Sequence, residues 1–140
     1  MSVQQISVFV ENREGRVASV TRCLADAGVN VRAMSMADAP DFGIFRFVVD
    51  NPDAARSALR SAGFLIDTTE LVAVEVPDRP GGLADVLAAL AAASVNVEYM
   101  YAYQINNRGT AVILFRFENV AAATAALQAA GCKIVEAIPC

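Results

Sequence analysis

The sequence contains an internal repeat, and this feature constrains the fold more than any other. When residues 8–37 are aligned with residues 74–103, 13 of the 30 positions are identical and no gap is needed. The identities include an Arg-x-Gly that begins at Arg13 and again at Arg79. A repeat at a fixed offset indicates that the chain consists of two copies of one structural unit.

The second copy is two residues longer than the first. The alignment offset is 66 as far as residue 103 and 68 afterwards, where Gly63 aligns with Gly131. The extra residues fit best in the polar, glycine-containing segment 104–110, because surface loops tolerate insertions. We therefore predict two domains, residues 1–70 and residues 71–140.

Each copy has the pattern of a β-α-β-β-α-β unit. Strands are predicted where apolar and polar residues alternate, and helices where apolar residues recur every three to four positions. Pro52, preceded by Asn51, is typical of a helix start, and Gly63 is typical of a helix end. The predicted strands are residues 6–10, 29–37, 42–49, 64–69, 71–76, 95–103, 110–117 and 132–138, and the predicted helices are residues 17–27, 52–62, 83–93 and 121–130.

Two helices bury their apolar stripes together only when both cover the same face of a four-stranded sheet. With right-handed crossovers, this arrangement has the ferredoxin-like topology. The predicted fold class is therefore α+β, with two ferredoxin-like βαββαβ units in tandem and antiparallel sheets that carry their helices on one face. The other face of each sheet stays open, and the apolar composition predicts that the sister unit or another chain covers it.

Composition excludes several classes of site. The 140 residues are 56% hydrophobic, include no histidine and carry a net charge of −4. Without histidine, Ser-His-Asp catalysis and imidazole metal sites are excluded, and the acidic balance argues against a nucleic-acid partner. We predict no metal, no cofactor, no membrane span and no secretory signal. The three cysteines are Cys23, Cys132 and Cys140. They have no regular spacing, which is typical of the reduced thiols of a cytoplasmic protein.

The segment between the first strand and the first helix of each copy is the candidate site. It reads Glu-Asn-Arg-Glu-Gly-Arg-Val at residues 11–17 and Pro-Asp-Arg-Pro-Gly-Gly-Leu at residues 77–83. Glycine permits a tight turn beside a ligand, and the N–H groups at a helix start favour an anion such as a carboxylate. Asn12 and Asp78 can accept a hydrogen bond from a ligand ammonium, so the segment suits a zwitterion. The same residues also suit simple capping of the helix.

These segments, followed by Val-Asn-Val at residues 29–31 and 95–97, resemble the signature of the ACT domain, a small-molecule-sensing module of amino-acid metabolism. The resemblance covers essentially the whole chain as two tandem ACT units. Copy one departs from the pattern at Glu14, where the family favours proline, and at Arg16, where it favours a small or apolar residue. Its pocket is therefore the less typical of the two.

The resemblance implies that an amino acid is bound at an interface between two units. The family uses the loop before the first helix together with the second strand of a neighbouring unit. On this sequence the implied ligand-binding residues are Asn12, Gly15, Arg16, Val17, Asn30, Asp78, Gly81, Gly82, Leu83, Asn96 and Met100. For Asn30 and Asn96, local turn capping is an equally good interpretation.

The second strand of copy two carries a row of tyrosines. In a regular strand, Tyr99, Tyr101 and Tyr103 lie on one face, and Met100 and Ala102 lie on the other. The row is interpreted either as core or interface between units, or as one wall of an amino-acid pocket. A single bulge within the strand would reverse this facing. Copy one has only alanine and serine at the equivalent positions, so the two copies cannot form identical pockets.

The leading hypothesis is a stand-alone, non-catalytic sensor that binds an amino acid and regulates a partner enzyme of amino-acid metabolism. The alternative is an obligate regulatory subunit, because copy one is similar to the start of the small subunit of acetolactate synthase. Catalysis is not predicted, since neither histidine nor a convincing carboxylate pair supplies an acid or a base. A two-fold homodimer is predicted, because ligand sites and sheet edges lie where two units meet.

Overall fold

The computed structural model describes residues 3–38, 40–103 and 109–136. These residues form two compact units: residues 4–69, the first unit, and residues 70–136 with Val3, the second unit. In chain order the elements are β1 (Val3–Glu11), α1 (Arg16–Asp26), β2 (Val31–Asp38), β3 (Phe42–Val49), α2 (Pro52–Ser61), β4 (Leu65–Pro77), α3 (Gly82–Ala92), β5 (Val97–Tyr103), β6 (Thr110–Phe117), α4 (Val120–Ala129) and β7 (Lys133–Val135).

The first unit has the strand order β2-β3-β1-β4. Strand β3 pairs antiparallel with both β1 and β2. Alternate residues of β1 and β3 pack against both helices in one buried cluster, which consists of Ile6, Val8, Val10, Val20, Leu24, Val29, Phe45, Phe47, Val49, Ala55 and Leu59. Because residues two apart on a strand share a face, α1 and α2 cover the same face of the sheet.

The second unit repeats this arrangement with the strand order β5-β6-β4-β7. All three pairings are antiparallel. Its buried cluster again joins alternate strand residues to both helices: Val72, Val74, Val76, Val86, Leu90, Phe115, Phe117, Ala123 and Leu127. Strand β4 serves both units, since its first part lies in the first unit and its remainder is the central strand of the second.

The second helix of each unit begins at a matching asparagine. The side-chain oxygen of Asn51 accepts a hydrogen bond from the Ala54 N–H at 3.2 Å, and that of Asn119 accepts from the Ala122 N–H at 3.0 Å. Asparagine is favoured at this position because its side chain satisfies an N–H group that the helix leaves without a partner. The helix start predicted at Asn51 and Pro52 is therefore confirmed.

The predicted fold class is confirmed, with some changes in the bounds of the strands. Strands 42–49 and 110–117 have the predicted bounds. The two strands predicted at 64–69 and 71–76 are instead the single strand β4, which runs through Glu70. No glycine or proline interrupts the chain between residues 65 and 76, so nothing in this segment favours a turn.

Two strands begin later than predicted. Val29 and Val95 were assigned to strands, but their N–H groups each donate at 2.9 Å to a carbonyl of the preceding helix, Leu24 and Leu90 respectively. These bonds close the helix ends, so β2 and β5 start two residues further along. Strand β7 likewise occupies only part of the predicted 132–138, of which residues 137 and 138 lie outside the described residues.

Cys23 and Cys132 are free, half-buried thiols, whereas Cys140 lies outside the described residues. Burial raises the pKa of the Cys23 thiol, and the neighbouring Asp26 carboxylate raises this pKa further. None of the helices in the described ranges has the length and apolar character needed to cross a lipid bilayer. The acidic and cysteine side chains of the same ranges form no group of three that could hold a metal ion.

Candidate functional site

The candidate site of each unit is the turn between its first strand and its first helix. We call residues 12–15 the first loop and residues 78–81 the second loop. Each loop ends in a glycine with a left-handed backbone, with φ 81° at Gly15 and φ 88° at Gly81. Because an L-residue with a side chain is strained in this region, the turn itself explains why both copies have glycine here.

The backbone of both loops is held in the same way. The Asn12 N–H donates to the carbonyl of Asp41 at 3.3 Å, and the Asp78 N–H donates to the carbonyl of Gly109 at 2.9 Å. Asp41 and Gly109 occupy aligned positions at the start of the third strand of each unit. Each loop is therefore fixed beside the hairpin of its own unit, and the side chains of Asn12 and Asp78 are exposed.

Both helices start without a side-chain cap. The first helical hydrogen bonds run from Ser19 N–H to the Gly15 carbonyl and from Asp85 N–H to the Gly81 carbonyl, each at 2.9 Å. Neither Gly15 nor Gly81 has a side chain that could satisfy the N–H groups of the first turn. N–H groups at a helix start attract an anion, so both turns have the chemistry required for a carboxylate.

The residue after the turn distinguishes the two units. A Cβ atom built on Gly82 would lie 2.0 Å from the carbonyl oxygen of Pro77, so the second unit has no room for a side chain here. The aligned residue of the first unit is Arg16, whose guanidinium carbon lies 5.2 Å from the ring centroid of Phe64. The Arg16 Nε is buried and has no hydrogen-bond partner among the described residues.

The charges around the two turns also differ. In the second unit, Arg79 forms an ion pair with Asp85 at 3.3 Å, which places a carboxylate in the first turn of α3. In the first unit, Arg13 forms an ion pair with Glu11 at 2.8 Å, and α1 has no acidic residue in its first turn. The positive end of α3 is therefore partly neutralised, whereas that of α1 carries the additional cation Arg16.

Asp85 and Phe64 were not identified from the sequence as site residues. Asp85 aligns with Ser19, and Phe64 aligns with Cys132. Because more than half of the aligned positions differ between the two copies, these differences do not single out either residue.

The structure brings most of the predicted residues together within each unit. Asn12, Gly15, Arg16 and Val17 lie at the first turn, and Asp78, Gly81, Gly82 and Leu83 lie at the second. Val17 is 39% exposed, but its counterpart Leu83 is half-buried and packs against the core of the second unit. Leu83 is thus less accessible to a ligand than Val17.

Asn30 lies away from the first loop. It follows the C-terminus of α1, and this 11-residue helix, about 16 Å long, separates it from the loop. Its N–H donates to an Asp50 carboxylate oxygen at 3.0 Å, and its carbonyl accepts from the Asp50 N–H at 3.1 Å. Through these two hydrogen bonds of its backbone, Asn30 has a local structural role. A ligand contact from Asn30 or the exposed Asn96 remains a prediction about a neighbouring unit.

The tyrosine row lies on one face of β5, as predicted. The strand has a bulge between Val97 and Tyr99, before the row begins, so the facing of Tyr99, Tyr101 and Tyr103 is not reversed. The rings of Tyr99 and Tyr101 are stacked, with centroids 6.5 Å apart. Met100 lies on the opposite, helix-covered side, where it is still 39% exposed because β5 is at the edge of the sheet.

The comparison with protein-family models identifies one family. The sequence matches the family model described as ACT domain pair over residues 1–136. The chain is similar to protein BT0572 from Bacteroides thetaiotaomicron, with 36% identity, a TM-score of 0.89, and coverage of 96% of this chain and 92% of that chain.

More distant structures share the fold. One is the regulatory subunit of aspartate kinase from Thermus thermophilus, with 20% identity, a TM-score of 0.63 and 91% of each chain covered. Another is the regulatory subunit of aspartate kinase from Thermus flavus, with 18% identity, a TM-score of 0.61, and 91% of this chain and 92% of that chain covered. No curated protein matches the chain.

Proposed function

This chain belongs to the ACT domain pair family, and on that premise we propose that it is a non-catalytic sensor that binds an amino acid and regulates an enzyme of amino-acid metabolism. The observation that carries the proposal is the paired turn. In both units a left-handed glycine begins an uncapped helix, close to an exposed residue whose side chain can accept hydrogen bonds.

The proposed recognition uses both ends of a zwitterion. The carboxylate of the amino acid lies at the N–H groups of the helix start, and its ammonium lies near Asn12 or Asp78. Asp78 carries a full negative charge, whereas Asn12 offers only an amide oxygen. We propose that this ammonium contact outweighs the less positive helix start of α3, so that the second loop is the tighter site. Met100, Asn30 and Asn96 are proposed as contacts made to a neighbouring unit.

Regulation follows from linkage. An amino acid that bridges two units stabilises one arrangement of them, and a partner enzyme that distinguishes the arrangements responds to the ligand. We propose the domains 1–70 and 71–140, a two-fold homodimer and a cytoplasmic location. The free thiols Cys23 and Cys132 support a reducing compartment.

The first test is a thermal-shift panel of the purified protein against the common amino acids at millimolar concentration. A ligand at about 100 times its dissociation constant adds about 2.7 kcal/mol to the free energy of unfolding, which raises the melting temperature by several degrees. Asp78→Asn should reduce the shift, and Glu118→Gln, the same charge change outside both loops, should not.

The alternative is an obligate regulatory subunit of a biosynthetic enzyme. Each of the two similar aspartate kinase structures is described as a regulatory subunit. Because their likeness to this chain is one of fold, it supports only this general class of role. Purification of the tagged chain from its native cell separates the alternatives. A catalytic chain that co-purifies in fixed ratio, together with no thermal shift in the panel, would contradict a stand-alone sensor and favour the subunit.

A further inference from the structure

We propose that the second unit holds a separate binding groove for an alkylguanidinium group, supplied by an arginine residue of a partner polypeptide. The groove lies between α4, the middle of β4 and the strand β7, and it contains none of the loop residues described above. The proposal therefore does not depend on the proposed amino-acid site.

The groove has an apolar base and an acidic rim. Its volume is about 540 Å³, which is in the range of small-ligand pockets. Val120, Thr124 and Gln128 line it from one face of α4, since they are four residues apart. The sheet contributes Val72, Cys132 and Ile134, with the carboxylates Glu70 and Glu136.

The first unit shows what this position in the fold accommodates. Arg56 of α2 aligns with Thr124, and its side chain is only 18% exposed. One guanidinium nitrogen of Arg56 donates to the Gln4 side-chain oxygen at 2.7 Å, and another pairs with the Asp53 carboxylate. Gln4 aligns with Glu70. A guanidinium thus lies between the second helix and the first strand of the first unit.

The second unit lacks this cation but carries more negative charge. Thr124 and Ala121 stand where the first unit has Arg56 and Asp53, and Glu70 and Glu136 stand where it has Gln4 and Thr68, so one ion pair is replaced by two carboxylates. Neither carboxylate forms an ion pair among the residues that the structure describes.

The cation beside the groove on β7 is already engaged. Lys133 forms an ion pair with Glu75 at 3.1 Å, and it points to the other face of the strand from Ile134. Lys133 therefore does not neutralise Glu70 or Glu136. A cation from another molecule would supply what Arg56 supplies in the first unit.

The chemistry of the groove favours arginine in a polypeptide. The methylene stem of arginine packs on apolar surface, while its planar guanidinium forms paired hydrogen bonds with carboxylates. An ammonium is a compact point charge without this fork. Free arginine brings an α-carboxylate, which Glu70 and Glu136 repel, and an α-ammonium, which must give up hydration to approach them. An arginine residue within a peptide carries neither of these two charges.

The test is an amide NMR titration of the full chain with N-acetyl-L-arginine amide. We expect saturable shifts at Thr124, Gln128 and Ile134, weaker shifts with free L-arginine and with N-acetyl-L-lysine amide, and at least a tenfold loss of affinity in the Glu70→Gln/Glu136→Gln variant. Equal affinity of that variant, equal affinity of the lysine probe, tighter binding of free arginine, or shifts confined to residues 78–83 would each overturn the proposal.

A second variant places an arginine of this chain in the groove, at the position that aligns with Arg56. Thr124→Arg should occupy the groove with a guanidinium, abolish probe binding and raise the melting temperature by a few degrees. Arginine also favours helices more than threonine does, so the comparison is made in the Glu70→Gln/Glu136→Gln background. A smaller rise in that background supports the proposal, and an equal rise in both backgrounds contradicts it.

Discussion

The two turns share several backbone features but differ in which residue can follow the glycine. Both have a left-handed glycine, the same hydrogen bond to the hairpin and the same uncapped helix start. Yet Gly82 lies too close to Pro77 for any side chain, whereas Arg16 extends over Phe64. The two copies of the unit can therefore keep these shared features while one has a cation after the turn and the other requires glycine there.

The same contrast appears at the second helix of each unit. Arg56 fills the space beside Gln4 in the first unit, whereas Thr124 leaves the equivalent space open beside Glu70. Both differences lie at the edge of a conserved core, where a change of side chain leaves the sheet and helices unaltered. The four experiments below test which differences between the units matter, beginning with the largest expected effect.

Gly82→Ala should be the most damaging single change at the turns. The added Cβ meets a backbone oxygen that can move only with its strand, so we expect a loss of about 3 kcal/mol in the free energy of unfolding. The matched change in the first unit, Arg16→Ala, should cost no more than about 1 kcal/mol, because it removes one cation–π contact. Urea denaturation of both variants measures the two losses in the free energy of unfolding, and equal losses would contradict the predicted difference between the units.

Asn51→Ala and Asn119→Ala test a feature that the units share. Each removes the side-chain oxygen that accepts from the third residue of a helix, so each should cost about 1 kcal/mol. Asn51→Asp, which keeps an accepting oxygen, is the control. Urea denaturation measures the stability of both alanine variants. A loss from only one of them would show that the two helix starts contribute unequally despite their matching geometry.

Asp85→Asn and Ser19→Asp exchange the charge at the two helix starts. Asp85→Asn weakens the favourable charge at α3 and the exposed pair with Arg79, which should cost about 0.5 kcal/mol. Ser19→Asp should stabilise α1 by a similar amount, because that helix start has no acidic residue. Thermal unfolding at low and high salt checks both effects, which should shrink as salt increases. Changes of the same sign would contradict the account.

Cys23 should produce the smallest effect. Because burial raises its pKa in the folded state, its contribution to stability is present below the unfolded value near 9.0 and is lost as the pH rises through the folded value. Cys23→Ala should therefore flatten the decline in stability above about pH 9, measured relative to the stability of the same variant at neutral pH. Melting temperatures measured from pH 7 to pH 10.5 test this, and an identical decline in the variant would refute it.

The sequence predicts the fold well because the repeat defines the two units and the alternating pattern, which is a local signal, locates the strands. Strands 42–49 and 110–117 follow directly from that pattern. The start of β2 is two residues later than the predicted Val29, because the Val29 N–H closes the preceding helix by donating to the Leu24 carbonyl. The apolar pattern of the sequence does not indicate this bond. The continuity of β4 was missed because a boundary between repeats does not require a break in a strand.

The site could be predicted only in part. The turn glycines and Asp78 are visible in the sequence, because a turn and a helix start use adjacent residues. The packing of Arg16 on Phe64 joins residues 48 positions apart, and the lack of space at Gly82 depends on a backbone oxygen five residues earlier. Such contacts depend on how strands and helices pack, which residue spacing alone does not encode.

The central claim is that an amino acid binds at the turns, and more tightly at the second. The most direct measurement is a calorimetric titration of wild type, Asp78→Ala and Asn12→Ala with the amino acid that gives the largest thermal shift. The account predicts at least a tenfold loss of affinity for Asp78→Ala and a smaller loss for Asn12→Ala. Unchanged affinity in both variants, or a greater loss in Asn12→Ala, would contradict it.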